Sequence, residues 1–75
     1  MIVLDGDIEA EHTKWNEARA AYIELNDRIH RDFLSGSPSP PALLRRRAEI
    51  AAVMHNAREA ADRLYRRRYF DWYIT

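Results

Sequence analysis

One stretch, Ser35-Gly36-Ser37-Pro38-Ser39-Pro40-Pro41, interrupts an otherwise helix-compatible chain, and it holds all three prolines and one of the two glycines. Prolines remove backbone donors and glycine admits left-handed φ, so a helix cannot run through such a segment. The remaining sequence therefore divides into two helical patterns joined by a turn over 35–41, which predicts an all-α fold, an antiparallel helix hairpin filling one domain over 1–75.

Before the turn, Ile8, Trp15, Tyr22 and Ile29 recur every seven residues, with Ala18 and Leu25 three residues beyond Trp15 and Tyr22. An apolar stripe of this period marks a helix face packed against another helix. Helix 1 is expected from about 8 to 34. Asp7 is its expected N-cap, Glu9 and Glu11 lie in its first turn, and Gly36 is the left-handed residue that closes it. After the turn, Ser39 is the expected N-cap and Pro40 the first helical residue. Helix 2 is expected to run over about 40–73, because no proline or glycine follows Pro41.

Leu43, Ile50, Val53, Met54, Ala57, Ala60, Ala61, Leu64 and Tyr65 form the apolar set of helix 2. On a helical wheel they span roughly 140°, wider than a two-residue seam. Folding the chain at 37–38 brings together positions whose numbers add to about 75. Leu25 then meets Ile50, Tyr22 meets Val53 and Met54, and Trp15 meets Ala60 and Ala61. Large against small is how facing layers interdigitate. Asp32 is expected near Arg46 or Arg47, and Glu11 near Arg68. On the outer surface the spacing predicts i,i+4 ion pairs Glu24–Arg28, Asp27–Arg31, Glu59–Arg63 and Asp62–Arg66.

With 75 residues, the core is thin, and chains of this length commonly need disulfides, a metal or oligomerisation. There is no cysteine, which leaves oligomerisation. Two helices cannot enclose a core, and the broad apolar arc calls for further neighbours. A homodimer forming a four-helix bundle is the expected assembly, with Trp15, Tyr22, Leu25, Ile29, Ile50, Met54, Ala57, Ala61 and Leu64 as its core. Charge supports contacts between unlike helices: residues 1–37 carry eight acids and four bases, a net of −4, and residues 38–75 carry eight arginines and four acids, a net of +4.

The formal total of zero gives no whole-molecule attraction to nucleic acid or membrane. Neither a signal peptide nor an apolar run of the ~20 residues that span a bilayer is visible, so a cytoplasmic location is expected. Eleven arginines to one lysine, with eleven alanines, fit the coding bias of a GC-rich bacterial genome.

The strongest functional signal is the C-terminal stretch, where five of the eight aromatic residues gather beside Arg66-Arg67-Arg68. Tyrosine, tryptophan and arginine are enriched at interface hot spots. Arg66, Arg67, Tyr69, Phe70, Trp72 and Tyr73 are therefore the candidate partner-binding residues, unless residues 1–4 pack back over them. The arginine triplets 45–47 and 66–68 also raise nucleic-acid association, although three consecutive helical residues spread around the helix instead of forming one patch. Glu9 and His12 have the Glu-x-x-His spacing of di-iron bundles but lack a second such pair, and His30 and His55 fall on outer positions. No metal, cofactor or catalytic residue is assigned.

The expected function is protein interaction by a small adaptor, chaperone or regulatory subunit. The alternatives are a nucleic-acid-associated protein using the arginines of helix 2, or a small helical enzyme with an arginine-lined anion site at the dimer interface.

Overall fold

The runs on either side of the Ser/Pro segment become two helices, α1 over Asp5–Leu34 and α2 over Pro41–Tyr69, in a computed structural model that describes residues 2–70. They lie antiparallel and pack along their length, forming a rod of 58 × 18 × 16 Å. Its radius of gyration is 17.1 Å, against about 11 Å for a compact domain of this length.

The turn follows the backbone chemistry of its residues. Gly36 takes φ +80°, the left-handed conformation that glycine adopts without a Cβ penalty. Around it Ser37 N–H bonds the Asp32 carbonyl at 3.0 Å, and Gly36 N–H bonds the Phe33 carbonyl at 3.1 Å. These are the two bonds of a Schellman motif, and they occupy carbonyls that the end of α1 would otherwise leave open.

Both helix starts differ from the sequence expectation. Helix α2 is capped by Pro40, with φ −56° and ψ 143°, and has Pro41 at its first position. A residue that precedes proline is pushed out of the α region, so Pro40 cannot begin the helix and the start shifts to Pro41. Ser39, freed from capping, donates its Oγ to Asp32 Oδ2 at 2.9 Å and ties the turn to α1. Helix α1 begins at Asp5, not at residue 8. Asp7 stands at the third helical position and accepts the Leu4 N–H at 2.9 Å, the reaching-back half of a capping box. The expected continuation of α2 over 71–73 lies outside the described residues.

The contact between the helices is a narrow seam with alternating three- and four-residue steps. On α1 it runs through Ile8, Glu11, Trp15, Ala18, Tyr22, Leu25, Ile29 and Asp32, all at least half-buried. On α2 it runs through Leu43, Arg47, Ile50, Met54, Ala57, Ala61, Leu64 and Arg68. This is coiled-coil spacing on both partners. The broad arc expected for α2 is corrected accordingly: Val53 and Tyr65, 50% and 46% exposed, stand outside the seam.

Among the described residues the core consists of Val3, Ile8, Ile50, Ala57 and Ala61, and no side chain is wholly enclosed. Trp15 and Ala61 line one groove, and Leu25 and Ile50 line another, in keeping with the expected register. Asp32 and Arg46 line one groove near the turn, as expected, but Arg47 and Glu11 find other partners. Arg47 donates to Asn26 Oδ1 at 3.0 Å, while Glu11 pairs with Lys14 at 3.1 Å and not with Arg68. On the outer surface Glu59 pairs with His55 at 3.2 Å in place of Arg63, and Arg46 pairs with Glu49 at 3.4 Å. Among the described residues none of the four expected i,i+4 pairs closes within 4 Å; exposed pairs of that kind contribute little enough for solvent to compete.

Candidate functional site

The open end of the hairpin, opposite the turn, carries the candidate partner-binding residues. Arg68 occupies the last seam position of α2 and holds the N-terminal strand of chain against it. Its Nη1 donates to the Val3 carbonyl at 2.6 Å, and its Nε lies 2.6 Å from Asp5 Oδ1. The Tyr69 hydroxyl donates to the same Asp5 oxygen. Val3 is buried as a result, so residues 2–4 do fold back toward the end of α2.

They do not cover its aromatic residues. Tyr65 packs between Tyr69, at 4.8 Å between ring centroids, and Phe70, at 5.7 Å. All three rings stay exposed, as do Ile2 and Leu4. Arg66 and Arg67 are exposed on the same end. Trp72 and Tyr73, the other two candidates, lie outside the described residues.

The Tyr69 hydroxyl, with the Arg68 guanidinium, holds the Asp5 carboxyl below its ordinary value of 3.8. The same hydroxyl bond and the Asp5 charge raise Arg68. A depressed carboxyl contributes stability above its unfolded pKa and loses it as pH falls through the lower folded one. Below about pH 4 the wild-type chain is therefore expected to lose stability faster than Asp5→Asn, which has no charge to lose. Denaturation midpoints of both proteins at pH 7 and pH 2.5 check this. Equal gaps at both pH values would show that the ionised Asp5 contributes nothing.

Along the length of the rod the seam is flanked by two unlike faces. His12, Arg58, Asp62, Trp15 and Ala61 line a groove on one of them. Seven-residue steps from His12 and Arg58 carry that side to Phe33 on α1 and to Leu44 and Tyr65 on α2. Ile23 and Tyr69 follow at four-residue steps. These five apolar side chains are exposed, Phe33 to 77%. His30 and His55 fall on this side by the same spacing. Arg19 also lies here, its guanidinium 5.7 Å from the Trp15 ring.

The opposite face is crowded with ionised groups. One groove near the turn brings together Arg28, Arg31, Arg46, Glu24 and Asp32. A second holds Lys14 and Glu17 beside Val53, and a third holds Glu11, Arg63, Arg66 and Arg67. We call the two surfaces the histidine face and the arginine face.

Of the candidate core residues, Ile50, Ala57 and Ala61 are buried. Trp15, Tyr22, Leu25, Ile29, Met54 and Leu64 are half-buried in the seam. The sequence reading missed Asp5, Asn26 and Val3 as partners of arginines, and it missed the division into two faces. The seven-residue steps of His12, Arg19 and Phe33 carry that division, but it becomes visible only once the seam of α2 is fixed.

Glu9 and His12 do not belong to a metal-binding group; among the described residues, no three His, Asp or Glu side chains converge to hold an ion. Nor is any described helix long and apolar enough to cross a membrane. Comparison with protein-family models, curated proteins and solved structures found no match to this chain.

Proposed function

We propose that the chain is a protein-interaction module, a small adaptor, chaperone or regulatory subunit that works as a homodimeric helical bundle and performs no catalysis. The carrying observation is the open end, where exposed Tyr65, Tyr69 and Phe70 form one aromatic cluster next to exposed Arg66 and Arg67. A rigid aromatic anchor ringed by arginine is the composition of an interface hot spot, and it suits a partner that offers an apolar pocket with acidic edges. The two arginines inside the seam are engaged within the chain, by Asn26 and by Asp5 and Val3.

The homodimer has independent support from surface area. The chain exposes 6096 Å², about 1,300 Å² more than a compact monomer of its mass. A stable interface needs about 800 Å² from each partner.

The test is affinity capture with the full chain from its native cells, run beside a Phe70→Ala/Trp72→Ala variant. A specific protein retained by the wild type and lost by the variant, while the variant keeps its dimeric mass, is the expected result. Loss of the dimer itself would make the aromatic end part of the assembly and remove it as a docking surface.

A further inference from the structure

We propose that a second copy of the chain docks on the histidine face, so that each helix lies beside the unlike helix of its partner and both turns lie at one end of the bundle. The inference rests on the homodimer proposed above and adds its face and its polarity.

The face is chosen by charge and apolar surface together. Ile23, Phe33 and Leu44 protrude on the histidine side short of the aromatic end, whereas among the described residues only Val53 protrudes on the arginine side between the ends of the seam. Docking two arginine faces would bring Arg28, Arg31 and Arg46 of one copy against the same three of the other, with Glu24 and Asp32 as the acids in that groove. Like charges buried at an interface cost affinity steeply. The histidine face carries far fewer permanent charges, and its Arg58 and Asp62 oppose one another in sign around a single groove.

The polarity follows from the symmetry of two stacked hairpins. A two-fold axis along the rod sets α1 over the partner's α2 and places the turns together. A two-fold axis across the rod sets α1 over α1 and α2 over α2, with the turns at opposite ends. Helix α1 carries eight acids and four bases, a net of −4, and α2 carries eight arginines and three acids, a net of +5. Neighbouring helices in a bundle lie about 8–10 Å apart, close to the screening length at physiological salt, so these totals act across the interface. Like-over-like stacking is repulsive on both sides, and unlike stacking is attractive on both. The register within the hairpin then sets Phe33 over the partner's Leu44 and His12 over the partner's Asp62. It also places both aromatic ends side by side, so that the dimer offers its partner two clusters at once.

A chain with no cysteine makes the test direct. A spin label on Ser37→Cys in the otherwise unaltered chain reports the distance between the two turns. Turns at one end place the labels a few interaxial spacings apart, below about 30 Å. Turns at opposite ends place them toward the 58 Å length of the rod, and that distance would overturn the polarity. The face is tested by sedimentation of two variants whose helical content is first shown to match the wild type. Ile23→Glu/Leu44→Glu is expected to weaken dimerisation at least about a hundredfold, by burying charge, and Val53→Glu to change it by less than about threefold. The reverse ranking would move the interface to the arginine face while leaving the homodimer intact. A wild-type chain that sediments as a monomer at every concentration would instead remove the homodimer, and this inference with it.

Discussion

Ile50→Ala is expected to destabilise the hairpin by about 2 kcal/mol, the lower end of the range for deleting a buried branched side chain. Ile50 is 7% exposed and is the largest buried side chain on α2, facing Leu25 across the seam. The low end applies because no described residue is wholly enclosed, so neighbours and water can close part of the gap. Against a total of about 4–11 kcal/mol for 75 residues, the loss is a large share. Val53→Ala is the matched control: three residues along the same helix, apolar, and half exposed. Its cost is expected to stay within about 0.5 kcal/mol. Urea unfolding followed by circular dichroism separates the two. Equal midpoints for both variants would mean that the seam does not run through Ile50, and the fold described here would be wrong at its centre.

That contrast also shows where the sequence was informative. The turn was legible because its demand is steric: Gly36 is a residue that accepts φ +80°, and three prolines forbid helix across the segment. The seam of α1 was legible because most of its steps are apolar. The seam of α2 was not, because apolar Val53, Ala60 and Tyr65 stand one step off it while Arg47 and Arg68 occupy two of its own steps. Counting apolar residues then drew the expected face toward Val53 and Tyr65, which lie one step off the seam on opposite sides. Long arginine stems can cover apolar neighbours while their heads reach polar partners, so a charged residue in a seam is not a break in it.

The helix starts failed for a different reason. Asp5 and Asp7 are both competent near a helix N-terminus; Asp7 reaches back to Leu4, while Asp5 is held by Arg68 and Tyr69 from the far end of the chain. No local rule contains that contact. Ser39 fits the N-cap pattern, but the two prolines after it fix the backbone first, and its hydroxyl turns to Asp32. The aromatic cluster of the open end was visible in composition. Its geometry, with Tyr65 between Tyr69 and Phe70, needed the helix to bring residues four and five apart together.

Thermal unfolding is expected to depend on protein concentration, with the midpoint rising about 4 °C for each tenfold increase. On the proposed homodimer, a hairpin that exposes 6096 Å² and has a five-residue core gains much of its stability from the second copy on the histidine face. If the cover is a second copy, unfolding and dissociation are one step, and mass action adds RT ln 10, about 1.4 kcal/mol, per decade of concentration. The unfolding entropy of two 75-residue chains, at about 2 cal/mol/K per residue, converts that increment to the stated shift. Scans at about 2 and 200 μM should therefore differ by roughly 8 °C, well outside instrumental error. Ile23→Glu/Leu44→Glu should lower the midpoint at both concentrations and flatten the dependence, since a hairpin that no longer associates unfolds as a monomer. A wild-type midpoint that does not move would mean that the exposed face is left open by the chain itself and belongs to a different molecule.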